Sequence, residues 1–331
     1  MQESWIRLFC FALLALFALP VESLPKKNGN AGASDGSNGV AVPTTITQAT
    51  DGSMILDKSV QINGLNIRYK ISAPANQFTA ASGVPGGTAT GNGTMGVNVL
   101  LHGDGGQSFF DFPNQAVQDN KMGVVVLAPN TKMFWGGGSG LQRTDGVAHA
   151  AAVNTLIQTQ MAQDVSFDPG NVYFTGVSGG SLLMSGYFVP AYGAMYKTGV
   201  VLNCGGMAPQ VAVVDSANLI SNMKIHFQST KDELSLLQGS IPQSVMAYEK
   251  LATDAGLSAD QIGALQTVDN TPNGGGHCGF DGQGFVSGIQ LVMNGYSNII
   301  GTNPSGNVTG ISQNVLTTVV GNENVVFTSA T

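Results

Sequence analysis

Short apolar runs, separated by segments long enough to hold a helix, dominate the middle of this chain. Runs of this length, rich in β-branched residues, are typical of strands buried on both faces of a sheet. Their alternation with helix-length segments predicts a parallel sheet covered by helices. The strand candidates are Gly96–Leu101, Val124–Ala128, Val172–Thr175, Val200–Asn203 and Ile225–Gln228. The predicted fold class is therefore α/β, with a mostly parallel central sheet and helices on both faces.

A hairpin and one clear helix complete the predicted elements. Ser59–Asn63 and Leu65–Ile71 flank Gly64 as two strand-like runs, which predicts an antiparallel pair. The helix is predicted from about Asp145 to Gln163, where apolar residues recur at helical spacing.

The two ends of the chain differ from its middle. Residues 1–23 have a short polar start, an apolar core from Leu8 to Leu19 and then Pro20, which predicts a secretory signal peptide. The core is too short for a membrane-spanning helix, which needs about 20 residues. Residues 24–47 are rich in Asn, Gly and Ser, and are expected to form a disordered linker or propeptide. We expect an α/β domain over 48–300 and a tail of undecided structure over 301–331.

The net charge of the chain limits the classes of partner that it can bind. Thirteen Lys and Arg stand against 20 Asp and Glu, a formal net charge of −7, which argues against nucleic acid and anionic membranes. We expect a secreted, extracellular protein that acts on a small-molecule or polymeric neutral compound. A monomer is favoured, and the sequence leaves the oligomeric state open.

Ser178 follows an apolar strand candidate and precedes an apolar stretch, with Gly176 and Gly180 two positions away on either side. This is the sequence context of a nucleophile elbow, whose strained strand-to-helix turn leaves no room for a Cβ at the glycines. A second Gly-x-Ser-x-Gly match, centred on Ser34, lies in the polar tract with neither a strand nor a helix beside it. Only Ser178 is therefore a candidate nucleophile.

A serine nucleophile needs a base, and the base needs an acid to orient it. Among the histidines, His149 falls in the predicted helix, His226 falls in a strand, and His102 ends a strand, where we expect it to shape a loop or contact substrate. The candidate base is His277, in a glycine-rich loop.

The candidate acid is Asp232, just past a strand, with Glu233 and Asp281 as alternatives. The resulting chain order of Ser, Asp and His is that of α/β-hydrolases. The oxyanion of an acyl transfer needs two backbone N–H donors. We expect them from Gly179 and from Asp104, with Gly105 as the alternate.

These motifs together resemble the α/β-hydrolase superfamily: His102-Gly103-x-Gly105-Gly106 after a strand, the elbow, Thr230-x-Asp232, and a late histidine. Over about residues 60 to 295 the chain looks most like secreted esterases of the polyhydroxybutyrate depolymerase and feruloyl esterase group, a likeness that rests on Trp135, the helix opening at Asp145 and Pro169–Tyr173. The resemblance implies the α/β-hydrolase fold and a serine hydrolase that cleaves carboxylic esters through an acyl-enzyme.

The sequence also predicts a substrate-contacting aromatic residue, a disulfide and two glycosylation sites. Trp135 precedes a run of glycines and is expected to stack on substrate. Cys204 and Cys278 are expected to form a disulfide, since they remain after signal removal in an oxidising compartment. Asn92 and Asn307 lie in glycosylation sequons. The cysteines and histidines lack zinc-type spacing, and no metal or other cofactor is expected.

Two other functions remain open from the sequence. A peptidase or amidase would use the same three residues. An extracellular binding or wall-associated protein on an inactive hydrolase fold would suit the Asn-, Gly- and Thr-rich tail. The acyl or aryl specificity, and the presence of a cap over the site, are not determined by these patterns.

Overall fold

The apolar runs of the chain pair into a ten-stranded sheet in the computed structural model, which describes residues 42–301, 304–311, 317–318 and 325–328. All of these residues belong to one compact unit, Gly36–Thr331. The strands are β1 (Thr45–Gln48), β2 (Met54–Ile62), β3 (Leu65–Ala73), β4 (Gly96–Leu101), β5 (Lys121–Leu127), β6 (Val172–Val177), β7 (Gly199–Asn203), β8 (Lys224–Gln228), β9 (Gln266–Asp269) and β10 (Thr317–Thr318).

The strand order across the sheet is β1-β2-β3-β5-β4-β6-β7-β8-β9-β10. The strands from β5 to β9 in this order pair in parallel, whereas β1, β2 and β3 join one edge and β10 the other in antiparallel pairs. Parallel neighbours need crossover connections, and most of these contain helices. The helices are α1 (Gln107–Asp111), α2 (Gly146–Thr155), α3 (Met161–Asp164), α4 (Gly179–Leu183), α5 (Val189–Tyr192), α6 (Ser216–Asn222), α7 (Ser235–Asp254), α8 (Ala259–Leu265), α9 (Phe285–Asn294) and α10 (Tyr296–Ile300).

Successive residues of the central strands enter two different cores. In β4, Val99 packs in a core that also contains residues of α2, α6, α7 and α8, while Leu100 packs in a second core with residues of α1, α9 and α10. This alternation follows from the two-residue period of a strand. Helices therefore cover both faces of the sheet, and the predicted fold class, α/β with a mostly parallel central sheet and helices on both faces, is confirmed.

The expected elements are present with shifted ends. The helix expected over 145–163 consists of α2, a π-helical segment Leu156–Gln160 and α3. The sheet already begins at Thr45, within the last residues of the expected linker, and the expected signal peptide lies outside the described residues. The segment between β8 and β9 forms α7 and α8, and Val245, Tyr248 and Ile262 of these helices pack in the same core as Val99.

Loops at the carboxyl ends of the parallel strands carry the candidate site. Ser178 follows β6, Asp104 follows β4, Glu233 follows β8 and His277 follows β9. In open α/β sheets this edge is where ligands bind. Among the described residues, no helix is both long and apolar enough to cross a membrane.

Candidate active site

Ser178 occupies a strained turn between β6 and α4. Its φ of 50° and ψ of −113° lie outside the favoured regions for a side-chain-bearing residue. Its backbone N–H donates to the Asn203 carbonyl at 2.8 Å, which ties the turn to β7. A Cβ added at Gly176 would lie 2.6 Å from Ser181 Cα, and one added at Gly180 would lie 2.1 Å from the Leu101 carbonyl oxygen. Both glycines are thus required by close backbone approach, as the motif predicted.

His277 lies beside this serine. Its Nε2 is 2.9 Å from Ser178 Oγ, and its Nδ1 contacts Oε1 of Glu233. With the Nδ1 proton donated to the carboxylate, Nε2 accepts the hydrogen bond of the serine hydroxyl. The histidine is 18% exposed and the Glu233 side chain is fully buried, so the chain of hydrogen bonds runs from a buried carboxylate to a serine at the surface of the fold.

The three other described histidines are used differently. His102 donates from Nδ1 to the Gly103 carbonyl at 2.6 Å and accepts from the Ala128 amide at Nε2. Burial lowers the pKa of His102 and of His226 to about 4, and burial also lowers the pKa of His149. Each is a neutral ring within the fold. The ring of His102, expected to shape a loop or contact substrate, is fully buried with both nitrogens bonded to backbone, so it is not presented to a ligand at the surface.

The carboxylate against His277 belongs to Glu233 and not to Asp232, which corrects the first choice made from the sequence. Asp232 instead accepts from the Gly274 amide with Oδ2 and from the Thr328 hydroxyl with Oδ1 at 2.6 Å. It binds the backbone of the loop after β9 that carries His277, here called the histidine loop, and does not contact the imidazole. The other alternative, Asp281, accepts from the Asn273 amide at 3.0 Å. Neighbouring loop residues point in different directions, and here the longer side chain points inward.

The expected oxyanion donors lie at the first turn of α4 and in the loop after β4. The N–H of Gly179, at the start of α4, has no intrahelical acceptor, as for any residue at a helix start. The Gly105 amide donates to the Met133 carbonyl at 3.1 Å and is not free for a ligand. Of the two expected loop amides, only that of Asp104 has no acceptor among the described residues.

Trp135 does not form a stacking surface. It is fully buried, with its ring centroid 5.4 Å from that of His102 and 6.0 Å from that of His149. The structure therefore does not present the indole, expected to stack on substrate, to a ligand at the surface; Gly136, directly after it, packs against Arg143.

A different aromatic residue lies at the nucleophile. A Cβ placed on Gly103 would be 3.3 Å from both Phe285 Cζ and Ser178 Cβ, so the phenyl ring and the serine flank the same loop glycine. The Phe285 ring centroid is 6.1 Å from that of His277, and the residue is half-buried. Sequence reasoning missed it, because no motif marks the first residue of α9.

Arg143 is a second residue near the candidate site that sequence reasoning missed. Its guanidinium pairs with the Asp104 carboxylate at 2.7 and 2.8 Å, although the two residues are far apart in the sequence. Nothing in the sequence signals this pair; Arg143 lies two positions before Asp145, where the helix was expected to begin.

Cys204 and Cys278 are joined by a disulfide, with Cα atoms 5.3 Å apart. The bond connects the end of β7 to the residue after His277. Their sulfurs and His277 lie within 4.8 Å of one another, but sulfurs bonded to each other offer no thiolate to a metal ion.

Asn92 and Asn307, the sequon residues, are both exposed.

No family model and no curated protein matches this chain. Solved structures that are similar to it include a cold-adapted esterase from an Arctic intertidal metagenomic library, at 12% identity over 76% of this chain and 99% of that one, with a TM-score of 0.42. The BES protein of Bacillus cereus shows 13% identity over 73% and 93%, with a TM-score of 0.44. A dienelactone hydrolase-like promiscuous phosphotriesterase from metagenomic libraries shows 10% identity over 75% and 99%, with a TM-score of 0.49. Likeness at this level carries no argument about activity or substrate.

Proposed function

We propose that the protein is a secreted serine hydrolase that cleaves carboxylic esters through an acyl-enzyme. The observation that carries the proposal is the continuous chain of hydrogen bonds from Glu233 through His277 to Ser178, with 2.9 Å between Nε2 and Oγ. A serine hydroxyl is a weak nucleophile until a neighbouring base takes its proton, and this geometry supplies that base and its orienting acid.

In the proposed mechanism Ser178 Oγ attacks the ester carbonyl as its proton passes to Nε2 of His277. The buried Glu233 carboxylate stabilises the imidazolium that forms. The tetrahedral oxyanion is met by the amides of Gly179 and Asp104. His277 then protonates the leaving alcohol, and a water molecule, activated by the same imidazole, hydrolyses the acyl-enzyme.

An apolar acyl or aryl group suits the surroundings of the nucleophile. Phe285 lies beside Ser178, and Leu234, directly after Glu233, is 51% exposed. Feruloyl esters, acetyl esters and polyesters all present such groups without a formal charge, in keeping with the acidic chain.

The first test compares secreted wild type with Ser178→Ala on p-nitrophenyl acetate, butyrate and octanoate, and on methyl ferulate. Ser34→Ala is the matched control, because Ser34 is the centre of the second Gly-x-Ser-x-Gly match, which lies in the polar tract of the sequence. We expect Ser178→Ala to remove turnover and fluorophosphonate labelling, and Ser34→Ala to leave both unchanged. The chain-length profile then assigns the acyl group.

Two outcomes would contradict the proposal. A folded wild type with no turnover and no fluorophosphonate labelling would favour the binding protein on an inactive fold. Turnover of peptide reporters but not of esters would favour the amidase. Secretion is tested in the same experiment, since the amino terminus of the protein recovered from the medium should begin after residue 23.

A further inference from the structure

A partly buried ion pair joins Arg143 to Asp104, which belongs to the loop that is proposed to bind the oxyanion. Nη1 of Arg143 is 2.8 Å from Oδ1 of Asp104, and Nη2 is 2.7 Å from Oδ2. Two parallel N–H donors facing two carboxylate oxygens form the bidentate geometry in which an arginine binds a carboxylate most strongly.

The arginine is fixed from several sides. Its side chain is 2% exposed, while that of Asp104 is 23% exposed. Nη1 also donates to the Trp135 carbonyl at 2.9 Å, and the Tyr187 hydroxyl donates to the Arg143 carbonyl at 2.9 Å. The guanidinium therefore has a fixed place, and the carboxylate is the more solvent-facing partner.

The carboxylate of Asp104 touches the residue after the nucleophile. A Cβ added at Gly179 would lie 2.1 Å from Asp104 Oδ1, so any other residue there would have to displace this carboxylate from its place against Arg143. A formal negative charge is thus in contact with one of the two residues proposed to meet the oxyanion. Without a counter-charge, this carboxylate would oppose the negative charge that develops on the substrate oxygen, since the dielectric constant is low in a partly buried site.

We propose that Arg143 is a positioning residue for ester cleavage, whose guanidinium neutralises Asp104 and so preserves the stabilising field of the oxyanion site. The inference rests on the proposed function. Asp104 is then a residue with two roles: its amide serves the reaction, and its carboxylate requires a partner.

A purely mechanical tether between the two loops predicts a different pattern of mutant effects. If the pair is only a tether, removing either side chain lowers kcat by the same factor. Removing both side chains then causes neither a further loss nor a recovery of kcat. Charge neutralisation predicts opposite consequences for the two ends. Arg143→Met leaves an unpaired carboxylate near the oxyanion, whereas Asp104→Asn leaves an unpaired cation there.

The experiment measures kcat and KM on p-nitrophenyl butyrate, and the inhibition constant of a phenylboronic acid, for wild type, Arg143→Met, Asp104→Asn and the double variant. Boronic acids form an anionic tetrahedral adduct with a serine, so their binding reports on the oxyanion site without a leaving group. We expect Arg143→Met to lower kcat about 10- to 100-fold and weaken boronate binding similarly, with KM nearly unchanged. We expect Asp104→Asn to lose much less, and the double variant to be faster than Arg143→Met alone.

Equal losses in all three variants, or an unchanged Arg143→Met, would overturn the inference while leaving the proposed function intact. A wild type that neither turns over esters nor binds the boronate would overturn both. Circular dichroism checks folding of each variant. If Arg143→Met does not fold, Arg143→Lys decides the matter: it keeps the charge but loses the bidentate fork, so neutralisation predicts that most of kcat remains and a geometric tether predicts its loss.

Discussion

At the scale of single residues, the two adjacent carboxylates after β8 are predicted to have different functions. Glu233 contacts His277 Nδ1, while Asp232 bonds to the Gly274 amide and Thr328. Glu233→Gln removes the charge that stabilises the imidazolium, and we expect kcat to fall by about 10²- to 10⁴-fold. Asp232→Asn is the matched control, because it removes one carboxylate charge from the same loop, and we expect a loss of less than about tenfold. A larger loss from Asp232→Asn would assign the acid role to Asp232.

The sequence identified Ser178 and His277 because each has a local signature, an elbow and a glycine-rich loop. It could not separate Asp232 from Glu233, since the direction of each side chain depends on how the loop after β8 is paired with the histidine loop. The burial of Trp135, which was expected to stack on substrate, could not be predicted for a related reason. A following run of glycines marks a turn, but gives no information on which way the preceding indole points.

At the scale of secondary structure elements, the disulfide connects the histidine loop to the sheet. It closes a sequence separation of 74 residues, which in the chain-entropy account contributes roughly 4 to 5 kcal/mol to the free energy of unfolding. We expect Cys204→Ala/Cys278→Ala to lose up to that amount in urea unfolding, and to lower kcat because His277 adjoins Cys278. Thiol counting on denatured, unreduced, secreted wild type should find no free thiol; two free thiols would contradict the bond.

The elements with continuous apolar runs were predictable, and those with polar residues were not. β9 was missed because its residues are mostly polar, yet Gln266 and Asp269 are buried there. Gln266 donates to the Tyr248 carbonyl at 3.2 Å, and Asp269 accepts from the Thr271 hydroxyl at 2.6 Å. β5 begins earlier than expected, at Lys121, whose buried ammonium pairs with Asp119 at 2.7 Å. Hydrogen bonds and charge pairs of this kind are made by the tertiary fold and leave no periodic signal.

At the scale of the whole molecule, three of the four histidines are buried as neutral groups, and this couples the stability of the fold to pH. The pKa of His102 and of His226 is lowered by burial to about 4, while the unfolded chain has an ordinary histidine pKa of about 6.5. Below that value the unfolded state binds more protons than the folded state. Stability is therefore fully present above about pH 6.5 and falls as the pH decreases toward 4.

His226→Gln tests this dependence, since glutamine is neutral over the whole range and can keep hydrogen bonds to Thr267 and Gln228, the partners of His226. His102 and His226 should each cost about 2 kcal/mol of unfolding free energy between pH 7 and pH 5. We therefore expect the wild type to lose about 2 kcal/mol more than His226→Gln over this interval in urea unfolding. Burial raises the pKa of Asp269 and acts in the opposite direction, but it is common to both proteins and cancels in the comparison. Equal losses in the two proteins would mean that His226 binds its proton as readily in the fold as in the unfolded chain, and that the acid sensitivity arises elsewhere.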